Sequence, residues 1–258
     1  MVVNNRYNLS QGDRITIRGI GSRTPFDVHG IKIILDGIPL TMPDGQSQLN
    51  NLDPGSADKI EILRGPSSAL YGNAAGGLIN IQTESAQTVP IWIQPQFIAG
   101  SNDLRKWQAK FSGKIGKQSY LVNVSKLQLD GHREHSAAST SSLNAVGRHE
   151  ISNHFSLTTL FNYFDAPYLL NPSSLSKTEA ANSSSTTRFF IKQQGAGKKI
   201  RQGQGGITFK YQEIPPAQAG VIAAQEIFNA LQSGPRLLDQ KEKAIGLGPF
   251  SELLWELI

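Results

Sequence analysis

The sequence predicts a small α+β domain followed by a run of antiparallel β-strands and a tail of different character. Short β-type segments punctuated by glycine fill the chain up to about residue 85. From about residue 88 to residue 212, apolar residues recur at every second position, which is typical of strands with one apolar face. After Pro215-Pro216 the apolar residues recur at helical spacing instead.

The first region contains several strands joined by tight turns. Residues 15–18 alternate apolar and polar side chains, and residues 60–63 form a second such run that ends before Gly65-Pro66. Asp36-Gly37 separates two further apolar runs. This pair favours a type I′ turn, because both central residues of that turn need positive φ.

A short helix and a last strand complete the first region. Ser67 to Tyr71 predicts the helix, since Pro66 suits its first turn and Gly72 suits a left-handed residue at its end. Leu78 to Thr83 predicts the strand. The region is therefore expected to fold as a small mixed sheet with short helices.

The second region alternates in polarity over lengths that suit membrane strands. In residues 107–115 the odd positions include Trp107 and Phe111, and the even positions include Lys110 and Lys114. Between Tyr120 and Leu129 the alternation slips, which predicts a β-bulge. Alternation by itself fits a soluble β-sandwich as well as a membrane barrel, because strands of both have one apolar face.

The third region breaks this pattern. Val221, Ala224, Phe228 and Leu231 recur at helical spacing, and the last eight residues do not alternate. A helical tail on a strand-rich chain conflicts with the rest of the sequence.

Composition excludes several classes of protein. The chain has 258 residues, of which 38% are hydrophobic, and lacks an apolar stretch of the ~18 residues that a spanning helix needs. It has no cysteine, which excludes disulfides, thiolate metal sites and a cysteine nucleophile. The net charge is 25 − 20 = +5, but the basic residues are scattered, and residues 192–201 are interpreted as solvated loop charge rather than a nucleic-acid site. The first residues lack a secretory signal, so either the protein stays inside the cell or its true beginning is missing.

No set of residues predicts catalysis, a metal ion or a cofactor. Residues 19–24 begin like a dinucleotide fingerprint but lack its third glycine, and residues 65–72 lack the Lys-Ser/Thr of a phosphate loop. His132 and His135 have metal-ligand spacing, although a solvated loop explains them better. Asp36 and Glu61 are not placed together by any pattern. The sequence therefore predicts a protein that is not an enzyme.

Five motifs in order give the first region a family resemblance. They are Ile15-x-Ile17-Arg18-Gly19, Leu35-Asp36-Gly37-Ile38-Pro39, Ile60-Glu61-Ile62-Leu63-Arg64-Gly65-Pro66, Ser68-Ala69-Leu70-Tyr71-Gly72 and Gly76-Gly77-Leu78-Ile79-Asn80-Ile81-x-Thr83. This order resembles the plug domain of TonB-dependent outer-membrane receptors. Residues 25–30 and 42–46 resemble a subgroup described as putative siderophore receptors and linked to uptake of pyrroloquinoline quinone. The second region, including Asp130-Gly131-x-Arg133-x-His135-Ser136, resembles the family's first barrel strands.

The resemblance implies a fold and a location. It implies an α+β plug domain over residues 1–85, followed over residues 86–212 by the N-terminal part of an antiparallel transmembrane β-barrel in the outer membrane. A barrel of roughly 22 strands needs more than about 400 residues, so the chain is expected to be a fragment with an incomplete barrel. The signal, the TonB-contacting box and the start of the plug are expected to be missing. Residues 213–258 are interpreted as an atypical tail, with a shifted reading frame as one origin.

The resemblance also implies site residues. Arg18 and Arg64 match arginines that lie against barrel carboxylates and lock the plug, with Glu61 orienting Arg64. Lys110 and Lys114 would face the lumen, and Trp107 and Phe111 would face lipid. For the ligand, the outer plug loops suggest Arg23, Phe26, Met42, Asp44 and Gln46.

The implied function is energised uptake of a scarce ligand. TonB would supply the energy, and the ligand would be a ferric siderophore or a cofactor such as pyrroloquinoline quinone. The alternative is a soluble β-rich binding or adhesion protein in which the strands pack as a sandwich.

Overall fold

A computed structural model describes most of the chain. The described residues are 2–4, 8–12, 14–22, 28–41, 45–47, 49, 52–65, 74–211, 221–230 and 239–247. Within these ranges no helix has the length and apolar character required to cross a membrane. The predicted helix at residues 67–71 lies outside the described residues.

The N-terminal domain is built on a mixed sheet of four strands in the order β5-β4-β8-β7. Strands β4 (Ile31–Leu35) and β8 (Gly77–Thr83) are parallel neighbours, while β5 (Ile38–Pro39) and β7 (Ala57–Arg64) pair antiparallel at the two edges. Two small sheets pair β1 (Val2–Asn4) with β2 (Arg14–Thr16) and β3 (Val28–His29) with β6 (Gln46–Ser47). The expected small mixed sheet is confirmed.

The turn between β4 and β5 has the predicted geometry. Asp36 has φ 48° and Gly37 has φ 86°, so both central residues lie in the left-handed region that a type I′ turn requires. The turn reverses the chain so that Leu35 pairs with Ile38.

The second region forms one antiparallel sheet of eight strands in sequence order. The strands are β9 (Trp92–Gly100), β10 (Leu104–Ile115), β11 (Gln118–Leu129), β12 (Ala138–Glu150), β13 (Phe155–Leu170), β14 (Gly197–Tyr211), β15 (Val221–Ala230) and β16 (Asp239–Leu247). Two short helices, α1 (Lys177–Asn182) and α2 (Phe189–Gln193), lie in the long connection between β13 and β14. The described strands form an open sheet, here called the wall, rather than a closed barrel, as predicted.

The predicted bulge in β11 is wrong. Residues 118–129 pair without interruption with both β10 and β12. The register instead shifts between Ser139 and Ser141 and between Ala166 and Leu169. Leu127 and Leu129 break the alternation because they line a cavity on the inner side of the wall.

The predicted helical tail is also wrong where the chain is described, since Val221–Ala230 and Asp239–Leu247 are strands. β15 pairs with β14 from Thr208 to Arg201 and thereby satisfies backbone groups that an open edge would leave unpaired. Tertiary pairing therefore overrides a weak helical spacing. A shifted reading frame as the origin of residues 213–258 stays a prediction.

The hydrophobic core of the N-terminal domain extends into the wall. Alternate residues of β4, namely Ile31, Ile33 and Leu35, are buried. They cluster with apolar residues of the same domain and with Val146 and Leu160 from β12 and β13. The domain is therefore held against the wall partly by apolar packing, a contact that was not predicted from the sequence.

Candidate functional site

The inner face of the wall is polar where it meets the N-terminal domain. Asn123, Asn144, Asn162 and Gln204 lie directly opposite one another across β11 to β14, and all four are buried. The Gln204 amide donates to the carbonyl of Pro39 at 3.1 Å. This row presents hydrogen-bonding groups to the domain rather than a continuous apolar surface.

The predicted orientation of β10 is confirmed at three positions. Trp107 and Phe111 are exposed on the outer face, at 42% and 37% of their full accessible area. Lys110 points inward and donates to Glu84 at 2.7 Å. Lys114, at the end of the strand, is exposed and pairs with Glu150 at 3.5 Å.

Asp53 makes an enclosed ion pair between the two regions. Lys106 donates to one of its carboxylate oxygens at 3.0 Å, and Ser125 donates to the other at 2.6 Å. The side chain of Asp53 is 4% exposed and that of Lys106 is 18% exposed. Asp53 also caps the turn at Pro54–Ser56 by accepting the amide of Gly55 at 2.9 Å. The local turn thus aims the carboxylate at the wall.

The pKa of Asp53 is lowered. Burial by itself would raise this pKa, because it disfavours the charged carboxylate, but the hydrogen bonds from Ser125, the Gly55 amide and Lys106 lower it and outweigh the burial. Asp53 is therefore ionised at neutral pH, as a partner for Lys106 must be.

A second contact forms where the domain joins the wall. The Asp36 carboxylate accepts the backbone amide and the hydroxyl of Thr83, at 3.1 and 2.7 Å. Arg148 reaches the same site and donates to Asp36 at 3.2 Å and to Thr83 at 2.7 Å. It also donates to the carbonyl of Glu84 at 3.3 Å. Arg148 thereby ties the β4–β5 turn to the end of β8.

Close packing of the Ile38 side chain on the backbone of β14 completes the contact surface. A Cβ added at Gly206 of β14 would lie 2.5 Å from Ile38 Cδ1 and 3.0 Å from its Cγ2. Glycine at this position therefore lets the β4–β5 hairpin lie against the wall.

These contacts, which we call the plug seat, combine acidic groups of the N-terminal domain with basic groups of the wall. The ion pairs are Asp53 with Lys106, Glu84 with Lys110 and Asp36 with Arg148. These pairs were not predicted, because the family resemblance points to arginines on the domain and carboxylates on the wall. Two features of the sequence could have indicated them. The even-numbered lysines of β10 share the inward face, and Asp53-Pro54-Gly55 is typical of a turn that an aspartate caps.

The predicted lock residues lie elsewhere on the domain. Arg18 has φ 50°, and both Arg18 and Arg64 are exposed. Among the described residues, neither arginine forms an ion pair with a carboxylate. Glu61 pairs with Lys59 at 2.6 Å and accepts the Asn80 amide at 3.2 Å. The locking role of these three residues stays a prediction.

The predicted ligand residues are mostly outside the described part of the chain. Arg23, Phe26, Met42 and Asp44 all fall there. Gln46 lies in β6, opposite His29, and is half-buried. Their role in ligand binding stays a prediction.

A cavity of about 850 Å³ opens at the end of the wall where the long connections lie. Its lining combines amides and hydroxyls with leucines from β10 and β11 and the basic residues His132 and Arg133. The described lining residues include no carboxylate. Asn102, Arg133, Pro172, Ser173 and Ser174 are among the residues that line it.

The histidines near this cavity are not arranged as a metal site. His135 uses its Nε2 to contact the carbonyl of Ala196 at 2.8 Å. Across the described residues, no three His, Asp or Glu side chains are grouped to hold a metal ion.

Comparison with known proteins points to one receptor family for the N-terminal region. Residues 2–78 match the family model described as "TonB-dependent Receptor Plug Domain". The chain is 37% identical over 76 residues to a hemin receptor of Yersinia enterocolitica, covering 29% of this chain and 10% of the relative. It is 37% identical over 85 residues to a ferric aerobactin receptor of Klebsiella pneumoniae, covering 31% of this chain and 11% of the relative.

Solved structures share the fold over most of the chain. The unliganded ferric citrate transporter FecA has a TM-score of 0.65 at 18% identity, covering 90% of this chain and 37% of that protein. The siderophore receptor PirA from Acinetobacter baumannii has a TM-score of 0.60 at 15% identity, covering 93% of this chain and 39% of that protein.

The chain thus matches about a tenth of the length of these curated relatives and less than two fifths of these solved structures. The relatives and structural neighbours named here are receptors and transporters, in agreement with the prediction that the chain is not an enzyme. A domain that matches the plug model is seated on strands that match the barrel fold. Residues 2–78 therefore match the plug domain of TonB-dependent receptors, and the strands that follow share the fold of these solved structures.

Proposed function

We propose that the chain is part of a receptor that takes up a scarce iron-bearing ligand, a ferric siderophore or hemin, with energy from TonB. The observation that carries the proposal is the plug seat. Three ion pairs between the plug and the wall hold a domain that must shift when the ligand passes. Such contacts exchange for water at a lower cost than a fully apolar interface, because water solvates the separated charges.

The cavity supports an anionic ligand. Its described lining contains Arg133 and His132 but no carboxylate. Ferric siderophores and pyrroloquinoline quinone can both be anionic. The resemblance of residues 25–30 and 42–46 to the quinone-linked subgroup makes pyrroloquinoline quinone the narrower candidate ligand.

An uptake experiment tests the proposal. The complete reading frame that encodes this chain is expressed in a Gram-negative host without its own siderophore and hemin receptors. Growth and radioiron uptake are measured with ferric aerobactin, ferric enterobactin and hemin, and uptake of pyrroloquinoline quinone is measured in parallel. We expect uptake of at least one ligand, lost when TonB is deleted. A protein that fractionates as soluble, or binds none of these ligands, would contradict the proposal.

The same assay tests the predicted ligand residues. Arg23→Ala and Asp44→Ala are compared with Lys59→Ala, a plug residue whose side chain is 58% exposed. We expect the first two variants to weaken binding while Lys59→Ala leaves it unchanged. Unchanged binding in both loop variants would remove the assignment of these loops.

A further inference from the structure

We propose that the segment Asp130–Ser136, here called the fastener, holds the β13–β14 connection in place, and that Arg133 positions the residues of this connection that line the cavity. The importance of the cavity for a ligand rests on the proposed function, but the fastening itself does not. The connection spans residues 171–196 and includes α1 and α2. Hydrogen bonds and an ion pair between Glu134 and Lys192 join this connection to the fastener.

Arg133 binds the connection at two separate places. Its Nη2 donates to the carbonyls of Pro172 at 3.1 Å and Thr186 at 2.9 Å, and its Nε donates to Thr186 at 3.2 Å. Its Nη1 donates to the carbonyl of Ser173. One guanidinium therefore bridges the start and the later part of the connection.

The neighbours of Arg133 extend the contact along the connection. The amide of Glu134 donates to the carbonyl of Ser185 at 2.8 Å, and the Thr187 hydroxyl donates to the carbonyl of Glu134. The Glu134 carboxylate pairs with Lys192, and the hydrogen bond from Lys192 lowers the pKa of Glu134. His135 reaches the carbonyl of Ala196 at the far end.

The fastener is itself held in one conformation. Gly131 has φ 82°, and a Cβ at this position would lie 2.9 Å from the carbonyl oxygen of Ser136. The amides of Asp130 and Gly131 donate to the carbonyl of Asn102 in the β9–β10 turn, at 3.1 and 3.3 Å. The Arg133 amide donates to the Ser136 hydroxyl at 3.2 Å. The fastener thus links three connections at one end of the wall.

This geometry makes the cavity depend on Arg133. Pro172 and Ser173, whose carbonyls accept from Arg133, also line the cavity. Arginine suits the site because its planar fork offers five donors in fixed directions, whereas lysine offers one compact ammonium group. Lysine at this position keeps the charge but cannot span the carbonyls of residues 172, 173 and 186 together.

Two measurements without ligand test the inference on the purified full chain. Arg133→Lys is compared with Arg105→Lys, which changes an exposed arginine paired with Asp103 in the β9–β10 turn region. Hydrogen exchange is followed in residues 171–196. We expect exchange there to accelerate about tenfold or more in Arg133→Lys, because hydrogen bonds from a charged donor are lost, and to stay unchanged in Arg105→Lys.

The second measurement uses the absence of cysteine. Spin labels at Asn102→Cys and Ser174→Cys are the only thiol sites in a chain with no native cysteine. We expect a narrow distance distribution that broadens in the Arg133→Lys background. Thr187→Val, which removes one hydroxyl contact with the fastener, should give a smaller effect in the same direction.

The outcomes separate the two proposals. Unchanged exchange in residues 171–196 and an unchanged distance distribution in Arg133→Lys would overturn the fastener. A receptor that takes up none of the ligands tested above would overturn the proposed function, and the exchange and distance results would still decide the fastener.

Discussion

Strand β7 and the turn at Asp53 belong to the same domain, yet they lie in opposite environments. Ile60 and Leu63 of β7 are 54% and 53% exposed, whereas Asp53 is 6% exposed. Asp53 tolerates burial because Lys106, Ser125 and the Gly55 amide satisfy its carboxylate. In this domain, position relative to the wall decides burial more than side-chain polarity does.

The largest expected effect comes from removing one partner of the enclosed ion pair. Asp53→Ala leaves Lys106 largely buried without its carboxylate, and breaking such a pair costs about 3–5 kcal/mol. Urea unfolding of the detergent-solubilised protein measures the change. The exposed pair of Asp103 with Arg105 supplies the control, and Asp103→Ala should change stability by less than about 1 kcal/mol. Equal effects would show that the plug seat is no stronger than a surface pair.

Two leucines test the contrast between the side of the domain that packs on the wall and the exposed strand β7. Leu160 of the wall is 3% exposed in the shared core, so Leu160→Ala should lower the free energy of unfolding by about 2–5 kcal/mol. Leu63 is 53% exposed, and Leu63→Ala should cost less than about 1 kcal/mol. The same urea titration measures both variants. A large loss of unfolding free energy in Leu63→Ala, with none in Leu160→Ala, would show that β7 rather than the shared core packs on the wall.

Adjacent glycines of β14 provide a smaller test. Gly206→Ala places a methyl group against Ile38 and should destabilise the plug seat by about 1–3 kcal/mol. At Gly205 the nearest atom to an added Cβ is the Leu160 carbonyl oxygen at 3.9 Å, so Gly205→Ala should be tolerated. Hydrogen exchange of residues 28–41 reports the seating of the β4–β5 hairpin. Protection lost equally in both variants would indicate a general effect on β14.

The smallest expected effect is a dependence on acid. The pKa of Asp53 is lower in the folded protein than its ordinary value of 3.8. The ionised carboxylate therefore contributes its full stability above that value, and this stability is lost as pH falls through the lowered pKa. Hydrogen exchange of residues 52–65, corrected for intrinsic rates, should therefore accelerate below about pH 4. Asp53→Asn should lack this acid step. An unchanged step in Asp53→Asn would assign it to another carboxylate.

Sequence patterns predicted the features that depend on near neighbours. Asp36-Gly37 has the backbone of a type I′ turn because its requirement for positive φ is local. Trp107, Phe111 and Lys110 take the predicted faces of β10 because alternation follows from strand geometry. The same reasoning wrongly predicted a bulge in β11, where Leu127 and Leu129 turn inward to line the cavity. It also wrongly predicted a helix over residues 221–230, which pair with β14 as a strand.

The sequence by itself therefore determined the plug-like order of motifs, the mixed sheet, the alternating wall and the family resemblance of the first region. Only the tertiary structure decided which charges meet. Asp53 and Lys106 are 53 residues apart, and Asp36 and Arg148 are 112 residues apart. No local pattern specifies such pairs, because their energy depends on the distance and solvent exposure of two side chains that the fold brings together. The fastener has the same origin, since Arg133 acts on backbone carbonyls up to 53 residues away, and carbonyl groups are common to every sequence.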